Sequence, residues 1–246
     1  LTGIQLPDSI REISEGSFKN CSNLLEMKLP EGLTQIPNNV FENCQSLESI
    51  NIPEGVKEIG QQAFSNCSDL LTVELPSSLL EIHNYSFANC KSLEALHIPE
   101  GVNRIKSGVF EGCTQLKEVY LPTTLRYING YAFFNCSSLV SIIIPGSVVE
   151  IWNAAFSNCE NLVEVVFEGD APNNYGESLF DGVSGEAKAY VNSGASGFGA
   201  FYSGLPVLLD PAVALEGESI IRHRAGRAFV DPGAKATDRK DGDLAI

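Results

Sequence analysis

The segment AFSNCSDLLTVELP, from Ala63 to Pro76, decides the fold because its pattern returns every 23 residues along most of the chain. Its cysteine is one of seven at this spacing, and each has a phenylalanine three residues before it and a leucine three residues after it. Two further apolar positions and a proline close the unit, here as Val73, Leu75 and Pro76. The seven cysteines are Cys21, Cys44, Cys67, Cys90, Cys113, Cys136 and Cys159.

A repeat of this length predicts a solenoid with one coil per unit, because stacked units bury a continuous core that a single unit cannot form. The end of the segment from Leu24 to Leu29 alternates between apolar and polar residues, which predicts a short strand that pairs in parallel with the next coil. The stretch before each phenylalanine, such as Gly60 to Ala63, predicts a short helical turn on the opposite side. The expected class is therefore an α/β-type repeat solenoid with one parallel strand per 23-residue coil.

These residues resemble the BspA-like branch of leucine-rich repeats, whose pattern is L-x-x-I-x-I-P, then V-x-x-I, then A-F-x-N-C. Residues 1–168 carry this pattern in register. The resemblance implies a right-handed, curved solenoid of the kind found in bacterial surface and secreted proteins, with roles in adhesion and protein binding. The family motif contains no catalytic residues, so the resemblance predicts that the chain is not an enzyme.

The chain divides into three expected regions. Residues 1–168 form the leucine-rich-repeat solenoid, and residues 169–209 form a C-terminal cap that covers the last coil and buries its aromatic side chains. Residues 210–246 are a linker and the truncated start of an immunoglobulin-like domain, because the segment from Gly226 to Leu244 resembles the opening of a bacterial surface domain of that type. Within it, Asp238, Asp241 and Asp243 are weak calcium candidates, and turn chemistry is the alternative interpretation.

The composition excludes some partners. The net charge of −15 disfavours nucleic acid and anionic membrane surfaces, since a phosphate backbone would be repelled. An acidic surface that only maintains solubility is the alternative. The chain has no apolar run long enough to insert into a membrane. No cofactor is expected.

The cysteine column predicts buried, reduced thiols rather than a metal site or disulfides. No C-x-x-C spacing occurs, and stacked coils would hold equivalent Cβ atoms ~4.8 Å apart, which is too far for a disulfide. An asparagine precedes six of the seven cysteines, with Gly112 as the exception, and predicts a stacked ladder that satisfies backbone groups at a bend.

The exposed strand columns are the candidate binding face. Their residues vary between coils, whereas the apolar columns do not. The face is polar at first and becomes apolar toward the C-terminus, so this apolar strip is either an interaction patch or is covered by the segment that follows it. The candidate residues are Glu74, His97, Glu118, Tyr120, Ile143 and Val166.

The expected function is that of an extracellular or cell-surface module that binds a protein, or possibly a glycan, through this face. Two alternatives remain open. A passive spacer would need a uniformly polar face. A polysaccharide-acting enzyme would need two facing acids ~5–10 Å apart, and no such pair is evident in the sequence.

Overall fold

The computed structural model describes residues 3–176 and 178–209, which all belong to one compact unit. The predicted strand of each coil is present, and most of these strands pair in parallel with the counterpart 23 residues later, for example Met27 with Ile50. The array consists of three hydrogen-bonded sheets that follow one another along the coils. We call this array the front ladder. Its strands are Gly3–Gln5 (β1), Glu26–Lys28 (β2), Ser49–Asn51 (β4), Thr72–Glu74 (β6), Ala95–His97 (β8), Glu118–Tyr120 (β10), Ser141–Ile144 (β12), Glu164–Phe167 (β14), Lys188–Val191 (β16), Phe201–Tyr202 (β17) and Leu205–Leu209 (β18).

A second parallel ladder runs along the coils, so the expectation of one strand per coil is wrong. It is a single seven-stranded sheet whose strands carry an inward isoleucine in all but the last coil, such as Ile59 or Ile82. The residues two positions before and after the inward isoleucine are mostly polar, as Lys57 and Gln61 are around Ile59, so the sequence lacks the alternation that indicated the front ladder. Its strands are Gln35–Ile36 (β3), Glu58–Ile59 (β5), Glu81–Ile82 (β7), Arg104–Ile105 (β9), Tyr127–Ile128 (β11), Glu150–Trp152 (β13) and Asn173–Tyr175 (β15).

The predictions of short helical turns and of an α/β class are also wrong, because the described residues form turns and strands but no helix. Backbone amides in this segment bond alternately within the coil and to the next coil. Phe41 and Asn43 donate to the carbonyls of Ala63 and Ser65, both at 2.8 Å, whereas Cys44 donates to Phe41 within its own coil at 3.0 Å. A helix would satisfy all of these amides within one coil. The stacked turns instead form a hydrogen-bonded ladder of their own.

The residue before each cysteine has a left-handed backbone, and this conformation explains the repeated asparagine. The six asparagines have φ values of 59–64°, and Gly112, which replaces the seventh, has φ of 73°. Asparagine and glycine are the residues that adopt this region most readily. The predicted ladder exists over four coils, but its side chains bond to one another, for example Asn66 Nδ2 to Asn43 Oδ1 at 2.9 Å, rather than to the backbone.

The core consists of the predicted columns of leucine, phenylalanine and cysteine. Seven phenylalanine rings from Phe18 to Phe156 stack with centroids 5.2–5.9 Å apart and planes within 20°. All seven cysteines are free thiols, and all except Cys21 are buried. Each buried thiol donates a hydrogen bond to a phenylalanine carbonyl of the preceding coil, as Cys67 Sγ does to Phe41 O at 3.2 Å.

Residues 169–209 prolong both ladders instead of only covering the last coil. β15 pairs with β13, β16 pairs with β14, and Phe180 stacks on Phe156 although it lies 24 residues later. Tyr202 packs against Phe167 and donates its hydroxyl to the carbonyl of Pro172 at 2.9 Å. The expected burial of the aromatics fails for Phe201, whose side chain is 65% exposed.

Candidate binding surface

The six candidate residues all lie on the outward side of the front ladder. Each three-residue strand of the repeat turns its middle side chain toward the core and its two flanking side chains outward, because side chains alternate along a strand. Parallel pairing then aligns equivalent residues, so that Asn51 lies beside Glu74 and His97 lies beside Tyr120. We call this surface the front face.

A cluster of three candidates lies near the middle of the front face. The His97 and Tyr120 rings have centroids 6.0 Å apart and are tilted by 34°. Tyr120 donates its hydroxyl to Glu118 Oε2 at 3.1 Å. Partial burial and this bond to a carboxylate both raise the pKa of Tyr120. The ring is therefore neutral at physiological pH, and 40% of the residue remains exposed.

An apolar strip continues the front face toward the C-terminus. Ile143 pairs with Val166, and Val166 pairs with Tyr190 in the next strand, which in turn pairs with Leu208. The following coil extends this strip rather than covering it, since Ile143 is 49% exposed. Tyr190 is absent from the candidate residues because residues 169–209 are expected to form a cap.

Neither end of the front face forms an enclosed site. A shallow recess of about 320 Å³ near Asn51 and Glu74 also borders Glu54, and one of about 480 Å³ lies against Glu164 and Lys188. The surface therefore suits contact with a partner's surface more than enclosure of a small molecule.

Other candidate chemistry falls outside this surface or outside the described residues. No group of three or more metal-ligating side chains occurs among residues 3–176 and 178–209. The calcium candidates Asp238, Asp241 and Asp243, and the whole immunoglobulin-like segment, lie outside the described residues. The search for an apolar helix long enough to cross a bilayer found none in the part of the chain that the structure describes.

Comparisons with known proteins agree with this architecture. A family model for the BspA type leucine rich repeat region, with six copies, matches residues 1–116 and 80–196. A leucine-rich repeat protein from Bacteroides ovatus has 25% identity and a TM-score of 0.59, over 87% of this chain and 62% of that chain. The chain thus spans less than two thirds of the length of the Bacteroides protein.

Two further solved structures share the fold. The leucine-rich repeat protein of T. pallidum has 31% identity and a TM-score of 0.59, over 74% of this chain and 76% of that chain. A leucine rich cell surface protein from Faecalibacterium prausnitzii has 23% identity and a TM-score of 0.54, over 78% of this chain and 69% of that chain. None of the curated proteins compared with the chain matches it.

Proposed function

The chain belongs to the BspA-type leucine-rich repeat family, and from this premise we propose that it is an extracellular binding or adhesion module of a bacterial surface or secreted protein. Its partner is a protein that docks on the front face. Leucine-rich repeats of this kind generally mediate protein interactions and are not enzymes in general. The extracellular location is supported by the resemblance to the BspA-type family.

The observation that carries the proposal is the uncovered aromatic and apolar strip from Tyr120 through Ile143 to Tyr190. A partly exposed tyrosine offers a large contact area with a polar tip, and interface hot spots are enriched in tyrosine. The flanking polar residues Glu74, His97 and Glu118 supply the hydrogen-bonding rim that interfaces have around an apolar centre.

Two other functions fit the front face less well. A passive spacer would not need an exposed apolar strip. An enzyme would need two facing acids inside a cleft, and both recesses of the front face are shallow.

The test first isolates a partner from host or environmental extracts with the full chain as bait and then measures its affinity for variants. We expect Tyr120→Ala to weaken binding by about 1–3 kcal/mol, as loss of an interface hot spot does. The fold should persist because no core column is altered. Calorimetry or biolayer interferometry gives the affinity, and circular dichroism checks the fold.

Tyr85→Asn is the matched control. Tyr85 is 37% exposed, similar to Tyr120, but it lies in a turn segment away from the front face. Its φ of 59° suits asparagine, which occupies the equivalent position at Asn39. Equal binding by the wild type and Tyr120→Ala, combined with loss of binding in Tyr85→Asn, would show that the front face is not the interface.

A further inference from the structure

The outward side of the second ladder has two distinct halves. In β5, β7 and β9 it carries charged groups that pair with one another, such as Lys106 Nζ with Glu81 Oε2 at 2.7 Å. In β13 and β15 it carries an aromatic pair, Trp152 and Tyr175, which occupy equivalent positions of adjacent strands. The charged half forms ion pairs among its own side chains, whereas the aromatic half presents two exposed rings.

The aromatic pair is exposed and its geometry is fixed. The two ring centroids lie 5.2 Å apart with an interplanar angle of 34°, and the residues are 42% and 51% exposed. Trp152 Nε1 donates to Glu150 Oε2 at 3.2 Å, which orients the indole. Gly176 allows the coils to approach closely, because a Cβ there would lie 2.5 Å from Asn153 Cβ.

Polar groups lie beside the rings. Glu150 pairs with Asn173 in the next strand, and both precede an aromatic residue by two positions on the same side of the ladder. They therefore border the aromatic pair with a carboxylate and an amide, groups that accept and donate hydrogen bonds to hydroxyls. We call Glu150, Trp152, Asn173 and Tyr175 the platform.

We propose that the platform is a carbohydrate subsite that binds a neutral, β-1,4-linked oligosaccharide. The C–H face of one pyranose ring would stack on the exposed surface of the overlapping Trp152 and Tyr175 rings, and ring hydroxyls would bond to Glu150 and Asn173. This site is separate from the front face and does not depend on the function proposed for that face.

The size of the platform favours a sugar over a protein. The exposed parts of the two rings amount to about 200 Å², taking the usual area of an aromatic side chain. A specific protein interface needs about 800 Å² on each partner. Two or three sugar rings match the smaller area.

The charge of the platform favours a neutral sugar. Glu150 borders the two rings and the whole chain carries a net charge of −15, so sulfated or uronic acid polymers would be repelled.

The chain has a single tryptophan, so its intrinsic fluorescence reports on the platform directly. The full chain is titrated with cellotetraose and with N-acetylchitotetraose, while a heparin-derived tetrasaccharide serves as the anionic comparison. We expect a saturable shift of Trp152 emission with at least one neutral probe and none with the anionic probe.

Variants assign the binding to the platform. Tyr175→Ala keeps the reporter and should weaken binding roughly tenfold, whereas Tyr175→Phe, which keeps the ring, should bind within a factor of about three. Tyr85→Asn and Tyr120→Ala should bind like the wild type, which separates this site from the front face. Thermal unfolding of each variant shows whether it is folded. If Tyr175→Ala does not fold, Tyr175→Phe still tests the proposal.

Three results would overturn the proposal. The first is an unchanged Trp152 emission with both neutral probes up to about 10 mM, beyond which the affinity is too weak to be specific. The second is an equal response to the anionic probe. The third is binding that survives Tyr175→Ala in a folded variant, which would place the sugar elsewhere.

Discussion

The asparagine before each cysteine shows how backbone conformation selects residue type at one position of the repeat. A left-handed φ near 60° at these asparagines brings Cβ close to the following carbonyl in most residues. Asparagine tolerates this conformation, and its amide also bonds to the asparagines of neighbouring coils, so that Asn66 bonds to both Asn43 and Asn89. Gly112 also adopts the left-handed backbone conformation, but it has no side-chain amide to bond to neighbouring coils.

Replacing Asn66 separates these two contributions. Asn66→Gly removes only the side-chain bonds, whereas Asn66→Ala also places a Cβ in the left-handed region. We expect the alanine variant to be less stable than the glycine variant by about 1 kcal/mol. Urea denaturation measures the difference, and equal stabilities would show that backbone conformation does not select the residue.

Ser86 is the one serine in an inward column that is otherwise apolar from Val40 to Ala155 and includes Ala63 and Val109. The residue is fully buried, and its hydroxyl has no hydrogen-bond partner among the described residues. An unsatisfied buried hydroxyl costs about 1–3 kcal/mol, so Ser86→Ala should raise the free energy of unfolding by about 1 kcal/mol. The control is Ser78→Ala, which removes a hydroxyl that donates to Val56 O at 2.7 Å and should destabilise the fold. A loss of stability in Ser86→Ala would mean that the hydroxyl has an ordered water partner.

At the scale of one element, the cysteine column joins the coils through its thiols. Burial raises the pKa of Cys44, Cys113 and Cys159 to about 12. A thiol that stays protonated at neutral pH cannot act as a nucleophile. The column is therefore structural and chemically inert in the folded protein.

Thiol labelling at neutral pH tests this role. In the native protein we expect Cys21 to react first, because it alone is only half-buried, and the other six to react slowly. Denaturation should expose all seven. Mass spectrometry after a short pulse of a thiol reagent locates the label, and rapid labelling of Cys90 or Cys136 in the native state would contradict the buried column.

At the scale of the whole molecule, the same thiols make stability depend on alkaline pH. Their folded pKa is raised, so they stabilise the fold fully below the ordinary value of 9.0 and lose this contribution as pH rises toward about 12. In that pH range each buried cysteine lowers the free energy of unfolding by about 1.4 kcal/mol per pH unit, because its thiol can ionise only in the unfolded chain.

We therefore expect cooperative unfolding between about pH 9 and pH 12, monitored by circular dichroism. Replacing Cys113 by alanine removes one ionisable group and should make the pH dependence of the unfolding free energy shallower, although stability at pH 7 falls. A fold that stays fully stable at about pH 12, or a slope that is unchanged in the Cys113→Ala variant, would show that the thiols do not govern this transition.

The repeat pattern alone predicts the solenoid, the core columns and the register of the front ladder. An exact 23-residue period places equivalent residues side by side, and inward leucines and phenylalanines fix which strand positions face outward. The placement of Glu74, His97, Glu118, Tyr120, Ile143 and Val166 on one face follows from these two facts alone.

Only the tertiary structure decided the second ladder, the absence of helices in the described turn segments, and the surfaces near the C-terminus. Whether an amide bonds within its own coil or to the next depends on the stacking of coils, which local sequence does not encode. Beyond residue 168 the motif is lost, yet Phe180 still stacks on Phe156 and keeps the coils aligned. Tyr175 still follows Trp152 by the repeat period of 23 residues, whereas Tyr190 pairs with Val166 although it lies 24 residues later, so this second pair depends on contacts between coils.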